Sequence, residues 1–509
     1  MQQLSLATIK IQQFIFLLTT RGCLPLLFFS SMARLSKPKL LEKCQVSPPP
    51  NSSAAPKRSL PLTFLDIPWL FFSPSLPLFF YDFPFPTSHF TSTTLPNLKH
   101  SLSLALQQFY PFAGTLLARP HPEKPELLYT QGDSVSLTVV ESDGDFEFLS
   151  SNSQRGAVEF HTLVPELAST GSIAQCSNEA QAADISLLSV QITVFPNCGI
   201  CIGIAYHHVV GDERTFNNFI KAWASFSCLG DSSNIAVQSA PYYDRTAIVD
   251  ALGLEDIFLK EWWKRISSQG VVLGANKNAI VNGHSKNMIR ATFLIDLAQM
   301  ESIKNWIIEL CNKGNESHPV HLSPYVLTCA FTWVCLLKTQ ENDNNYSKCC
   351  DEDPNYFGFI AGGITRLGHP VPATYVGNCV GFGRSVASTK ALLGANGVVV
   401  AAKAIGNTIK KLDKAILGGA EKWISEWEEM FRSELHVMVL GSPKVDLYET
   451  DFGWGRPRKI EEIGIDGVTG ISLSESRDVS GGIEVGLVLP KPRMDAFTTL
   501  IIDGRNAIS

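Results

Sequence analysis

The chain has 509 residues, 45% of them hydrophobic and 18% charged, with a formal charge of -6 and a pI near 6.0. That is enough apolar material for two cored lobes rather than one. The mild acidity leaves no basic footprint, which sets aside nucleic acid and anionic membrane surfaces as partners and favours a small-molecule substrate. The twelve cysteines show no paired framework. Cys329 and Cys335 sit inside the apolar run "YVLTCAFTWVCLLK", the usage expected of buried thiols in a reducing, cytosolic compartment. The vicinal Cys349 and Cys350 fall in a polar loop and read as incidental.

The first 31 residues include "FIFLLTTRGCLPLLFFSS", which looks like a signal segment, yet Arg21 and Pro25 break its apolar core. No uninterrupted stretch of about 18 apolar residues is present there to span a bilayer. Met32 then opens "MARLSKPKLLEKCQVSPPP", which reads like the start of a cytosolic protein. Residues 1–55 are therefore expected to be a leader, non-native or disordered up to residue 31. A first lobe is expected over 56–230. Its opening, "LPLTFLDIPWLFFSPSLPLFFYDFPFP", is too punctuated by proline for a helix and predicts extended strands and turns. In "LPNLKHSLSLALQQFYPFAGTL" apolar residues recur at Leu98, Leu102, Leu106 and Phe109, which predicts an amphipathic helix ending before Pro111.

"LYTQGDSVSLTVV", from Leu128 to Val140, alternates about a Gly-Asp turn and predicts a hairpin. "ISLLSVQITVF" and "IGIAYHH" predict two strands joined at "PNCG", with "FNNFIKAWASF" a helix behind them. Residues 231–288 have weak periodicity and read as a crossover. The second lobe, 289–509, opens with the strand "MIRATFLID". Helices follow at 297–311 and around "SPYVLTCAFTWVCLLK", then strands and loops to "GIEVGLVLP" and a terminal helix "KPRMDAFTTLIID". The repeated alternation predicts two α/β lobes packed edge to edge over a groove.

Two segments carry candidate chemistry. In "YHHVVGDERTF", His208 and Asp212 stand four apart directly after an apolar strand. By itself this is equally a satisfied histidine at a strand end. The functional reading is an imidazole held over a cleft, with a pKa suited to taking a hydroxyl proton near neutrality. In "YETDFGWGRPRKIE", Gly453 and Gly455 flank Trp454, with Asp451 ahead. Alone, this is an ordinary turn with an aromatic plug.

Together, His-x-x-x-Asp in mid-chain and Asp-Phe-Gly-Trp-Gly near the end resemble the signature of the BAHD family of plant acyl-CoA-dependent O-acyltransferases. "FYPFAGTL", "APYYDRT", "IRATF", "PATYVGNCVGFG" and "SLSESRD" extend the resemblance from about Leu60 to Asp503. The "LPLTFLDIPWLFF" opening and Tyr375 to Cys379 resemble the branch that malonylates flavonoid, anthocyanin and phenolic glucosides. The resemblance implies two chloramphenicol-acetyltransferase-like α/β domains with an active-site channel between them. It implies acyl-CoA as co-substrate, a glycoside acceptor, a monomer, and no bound cofactor or metal. It makes His208 the general base and Asp212 a structural aspartate paired with an arginine. Asp451 matches a position often given as catalytic, although a brace for its loop is the better role. It offers the Trp454 indole as an oxyanion donor and brings Lys304 and Ser323 towards the CoA moiety.

A malonyl carboxylate needs a cation, because burying it unpaired is costly, and Arg214 is the nearest candidate. This sequence departs from the family pattern at Glu213, where glycine is usual, and at Val376. It departs again at Gly362 and Ile364, which replace an aspartate and an arginine. Those losses motivate a second expectation, a catalytically silent relative that binds a phenolic ligand. A hydroxycinnamoyl-CoA transferase of the same family and a thioesterase-like hydrolase are the remaining alternatives. Cys198 and Cys201 make a Cys-x-x-Cys, but residues three apart on a strand face opposite sides and no second pair follows, so zinc is not expected. No Gly-x-Ser-x-Gly elbow and no phosphate loop is present.

Overall fold

The computed structural model describes residues 37–50, 57–118, 121–170, 183–229, 240–269, 287–340, 353–467 and 469–508. The leader up to residue 36, and Cys349 and Cys350, lie outside them. In chain order, the described part begins with β1 (Lys39–Val46), β2 (Lys57–Pro61), β3 (Pro77–Asp82) and α1 (Leu95–Gln108). The prolines divide the opening run as expected, and Ile67–Phe71 adds one 3-10 turn between β2 and β3. Helix α1 buries Leu95, Leu98, Leu102 and Leu106 on one face, the stripe that a period of 3.6 requires.

Strands β4 (Thr115–Ala118), β5 (Glu126–Thr130) and β6 (Val135–Glu141) follow. The Gly-Asp turn forms, with Asp133 accepting from the Thr130 amide at 2.7 Å, but the hairpin does not. Strand β5 pairs with β2 and β4, whereas β6 pairs with β1 and with β10 (Leu188–Phe195). Alternation marks both as half-buried strands and is silent on which partner each meets. After β7 (Arg155–Gly156), β8 (Ser169–Thr170) and β9 (Ala183–Ser186), strand β10 runs antiparallel to β11 (Gly199–Tyr206). Every residue of β10 and β11 is buried, so this pair is the centre of the first sheet. Helix α2 (Glu213–Leu229) covers it with Phe216, Phe219, Ile220 and Trp223.

The crossover contains a helix, α3 (Leu254–Gln269), which weak periodicity did not suggest. Its Trp262 is fully buried. Then come β12 (Met288–Ile295), α4 (Leu297–Lys313), α5 (Pro324–Lys338), β13 (Pro354–Gly362) and β14 (Val380–Ser388). Helices α6 (Gly397–Lys414) and α7 (Trp423–Arg432), both in a region expected to be strands and loops, precede β15 (His436–Leu440). Strands β16 (Lys459–Glu462), β17 (Gly470–Glu475) and β18 (Ile483–Pro490) lead to α8 (Lys491–Ile508). Helix α5 is apolar nearly all round and buries twelve of its fifteen residues, as a helix enclosed by others must.

Among the described residues three sheets result, ordered β1-β6-β10-β11-β3-β16, β14-β13-β15-β17-β18-β12-β7 and β2-β5-β4-β9-β8. The two large sheets exchange strands. β16, from late in the chain, adds to the edge of the first by pairing with β3, and β7, from the first half, adds to the edge of the second by pairing with β12. Arg155 of β7, Arg290 of β12 and Glu461 of β16 meet at this exchange, all buried, with Glu461 2.8 Å from Arg155 and 3.0 Å from Arg290. Arg290 also pairs with Asp466, which takes His161 Nε2 at 2.8 Å. Burial opposes ionisation of Glu461, but Arg155, Lys459 and Arg290 outweigh it and hold the carboxyl at about 2. No helix of the described residues is long and apolar enough to cross a membrane.

Candidate active site

Strand β11 ends at Tyr206, and the chain turns through His207 to Val210 before α2 begins at Glu213. This turn separates the histidine pair. His207 is fully buried, and its Nδ1 accepts from the Val209 amide at 3.3 Å. Burial, with a smaller contribution from His208, lowers its pKa to about 3. His208 points the other way and retains partial exposure. Its ring lies over Trp69, centroids 4.4 Å apart, and edge-on to Tyr206 at 5.3 Å. Its Nε2 meets Ser75 Oγ at 2.8 Å. Burial holds its pKa at about 4, against the opposing influence of the Gly211 main chain, so the imidazole is neutral at pH 7 and Nε2 can accept a proton.

A buried polar frame holds the turn. Asp212 caps α2 through Oδ1 to the Thr215 amide at 3.0 Å and accepts from the Cys379 amide through Oδ2 at 3.1 Å. Asn378 donates from Nδ2 to the His208 carbonyl at 2.8 Å and to Asp66 Oδ1 at 2.9 Å. Asp66 accepts in turn from the Thr63 amide and hydroxyl at 2.8 and 2.7 Å. Arg245 donates to the Tyr375 hydroxyl and the Val376 carbonyl, each at 2.6 Å. Gly377, with φ +147°, leaves no room for a side chain: a Cβ there would lie 2.3 Å from Arg245 Nη1. The segments "TFLDIPW" and "YYDRT" thus hold "YVGNC", whose Asn378 grips the His208 carbonyl, an assembly that separate motifs in a sequence do not reveal.

The other expected site residues divide sharply. Asp212 makes its contacts with main-chain amides, and Arg214, two residues on, lies 3.4 Å from its carboxylate. Arg214 itself donates to the Ala373 and Tyr375 carbonyls at 2.8 and 2.7 Å, so its guanidinium is engaged in the frame. Asp451 is exposed and accepts from the Gly453 and Gly455 amides at 2.7 and 2.9 Å. Both glycines have positive φ, +108° and +106°, the conformation that lets their amides turn towards one carboxylate. Asp451 therefore braces its own loop.

Trp454 stacks on Phe452 at 5.6 Å and stands edge-on to Tyr81 and Phe83, both at 6.0 Å. Tyr81 lies six residues along an extended run from Ser75, about 20 Å at 3.3 Å per residue. The Trp454 indole is thus at the far end of β3 from His208 and cannot serve as its oxyanion donor. The sequence placed the two motifs in one protein, but only the strand direction separates them in space. Lys304 pairs with Glu301 on its own helix at 3.1 Å. Ser323 caps α5, accepting from the Val326 amide at 3.4 Å.

Ser75 was not singled out by the sequence. "FFSPSLP" offers Ser73 and Ser75 alike, and only the bridge of Ser75 to Tyr206 decides which meets the histidine. Glu213, noted only as a departure, is also central: burial, then Glu462, then Asp212 raise its carboxyl to about 8 against the Ser442 main chain. Gly362 ends β13 and its carbonyl accepts from Arg366 at 2.6 Å, while Arg366 pairs with Asp413 at 2.8 Å and Ile364 packs on the first core. Cys198 is exposed and Cys201 buried, opposite surroundings for the two thiols. Among the described residues no group of three or more His, Cys, Asp or Glu side chains is arranged to hold a metal.

The fold thus places His208 at a strand end, held by polar contacts from both halves of the chain, and the comparisons with relatives make the chain an acyltransferase. A model of the Transferase family matches residues 46–501, and the chain belongs to that family, the BAHD acyltransferases. It is 35% identical over 471 residues to malonyl-coenzyme A:anthocyanin 3-O-glucoside-6''-O-malonyltransferase of Dahlia pinnata, covering 91% of this chain and 97% of that protein. It is equally 35% identical, over 484 residues, to coumaroyl-CoA:anthocyanidin 3-O-glucoside-6''-O-coumaroyltransferase 1 of Arabidopsis thaliana, covering 93% and 98%. Its fold is similar to that of vinorine synthase, with a TM-score of 0.62 at 18% identity, covering 90% of this chain and 96% of that one.

Proposed function

We propose that this enzyme transfers a malonyl group from malonyl-CoA to a sugar hydroxyl of a phenolic or flavonoid glucoside, with His208 as general base. The observation that carries the chemistry is the neutral, partly exposed His208, whose Nε2 lies 2.8 Å from a hydroxyl, that of Ser75. An acceptor hydroxyl in the same place loses its proton to Nε2 as it attacks the thioester carbonyl. The same proton then leaves with the CoA sulfur. Asp212, Asn378 and Arg245 do not touch the substrate in this scheme; they hold the turn that aims the imidazole. The reaction needs donor and acceptor bound together and no acyl-enzyme. The Dahlia relative supports the malonyl donor and the glucoside acceptor. We place the enzyme in the cytosol as a monomer.

A second donor, an aromatic acyl-CoA, is favoured by two features of the site. The guanidinium of Arg214 is taken up by main-chain carbonyls, and rings continue from His208 through Trp69, Phe72 and Trp427, with successive centroids 5.4 and 4.7 Å apart from Trp69 on. The coumaroyl relative is consistent with it. Thiol release from malonyl-CoA and from a hydroxycinnamoyl-CoA, each with a panel of phenolic and flavonoid glucosides, separates the two. We expect acceptor-dependent release with malonyl-CoA, and a loss of about a thousandfold in the His208→Ala variant. Release only with the aromatic donor would assign the second reading, and silence with every pair in a folded protein would leave a ligand-binding relative.

A further inference from the structure

Attack on a thioester converts its carbonyl oxygen into an oxyanion, and catalysis requires a donor positioned where that charge develops. Trp454 lies at the wrong end of β3 to supply it. Asn378 is close to His208, but its side-chain amide is committed to Asp66 and to the His208 carbonyl. One hydroxyl meets the reactive nitrogen itself. Ser75 Oγ lies 2.8 Å from His208 Nε2, and its backbone is fixed by a reciprocal pair of hydrogen bonds with Tyr206, at 3.0 and 3.1 Å. The Tyr206 phenol, kept protonated by burial, approaches the same hydroxyl. The surroundings of the pair are closed: Leu76, Tyr206, Val209, Val210 and Trp69 are all buried, while Ser75 and His208 both keep partial exposure. They are the polar pair that an incoming substrate meets.

We propose that Ser75 is a catalytic residue whose hydroxyl donates to the oxyanion of the tetrahedral intermediate. This rests on the acyl-transfer reading above and adds a residue to it. In the tautomer that a general base requires, with Nε2 unprotonated, Ser75 Oγ–H occupies the Nε2 lone pair before substrate binds. The acceptor hydroxyl displaces it, and the freed Oγ–H turns to the thioester carbonyl. As the acceptor oxygen bonds to the carbonyl carbon, its proton passes to Nε2 and the carbonyl oxygen becomes negative against Ser75. When the intermediate collapses, the carbonyl re-forms, the carbon–sulfur bond breaks, and Nε2 returns the proton to the leaving thiolate. Ser75 ends as it began, unacylated, and His208 is again neutral.

The test compares wild type, Ser75→Ala and Ser75→Thr, following thiol release from malonyl-CoA and from a hydroxycinnamoyl-CoA, with and without glucoside acceptors. Hydrolysis by water passes through the same oxyanion, so the acceptor-free rate also reads Ser75. We expect Ser75→Ala to lower kcat and the acceptor-free rate by about a hundredfold with little change in acyl-CoA KM. Its acid pH limb should stay in place, and Ser75→Thr should recover part of the rate. An Ser75→Ala variant with an unchanged kcat, or one whose loss is confined to KM or to a shift of the acid limb, would overturn the proposal and leave Ser75 as a support for the imidazole. A mass increase of one acyl group on wild type incubated with acyl-CoA, absent in Ser75→Ala, would overturn it in favour of a covalent route. If folded wild type releases no thiol under any condition, the acyl-transfer reading and this proposal fall together, whereas a loss specific to Ser75→Ala bears on the proposal alone.

Discussion

For His208, proposed above as the general base, the surroundings decide the protonation state, and this sets a measurable limit. An imidazole ordinarily titrates near 6.5, but burial holds this one at about 4, so the base stays unprotonated well into acid. The acid limb of kcat/KM is therefore expected below the ordinary histidine range, checked by rate measurements over a pH series at limiting acceptor. A limb at 6.5 would mean that the ring is open to water. Trp454 makes the opposite case, a motif residue whose work is packing. Trp454→Phe keeps a ring against Tyr81, Phe83 and Phe452, and it is expected to retain kcat within a few-fold while lowering the melting temperature. A loss of about a hundredfold in kcat, the scale of a removed oxyanion donor, would return the indole to the active site.

At the scale of elements, the strands exchanged between the two large sheets are joined by ions that no water reaches. Glu461 on β16 faces Arg155 on β7 and Arg290 on β12. Removing one partner of a buried pair leaves the other charge uncompensated and costs about 3–5 kcal/mol. Glu461→Ala is expected to reach that range in a denaturant midpoint experiment and to uncouple the two sheets, whereas Glu461→Gln, which keeps the shape, should cost less. Because the folded carboxyl titrates at about 2 and the unfolded one near its ordinary value, its contribution is complete above the unfolded pKa. It fades as the pH falls towards 2. Apolar pattern identified β6, β10, β11 and the helices on either side, yet it assigned β5 and β6 to one hairpin. Period-2 alternation constrains which face of a strand is buried and leaves its neighbour open.

For the whole molecule, Glu213 joins the motif turn of the first half to β16 and to the loop after β15. Its carboxyl, raised to about 8 by burial, by Glu462 and by Asp212, holds a proton that the unfolded chain has already lost near pH 4.5. The folded state therefore binds more protons between those values, and stability should decline as the pH rises from 4.5 through 8. Glu213→Gln removes the titration, so thermal unfolding followed at pH 5 and pH 8 should show the variant gaining mainly at the higher pH. An equal gain at both would show that the effect is one of packing.

The sequence by itself determined the fold class and singled out His208 and Asp212, because apolar runs of strand length, a helix period and a five-residue motif are local patterns and the two motifs together resemble one family. It also marked "TFLDIPW", "YYDRT" and "YVGNC" as family segments, without saying that they meet around the His208 turn. Tertiary structure alone decided that Trp454 lies at the far end of β3, that Arg214 spends its donors on carbonyls, and that Ser75 rather than Ser73 reaches Nε2. Each of these is fixed by strand direction and register between residues far apart in the chain, and local sequence holds no record of either.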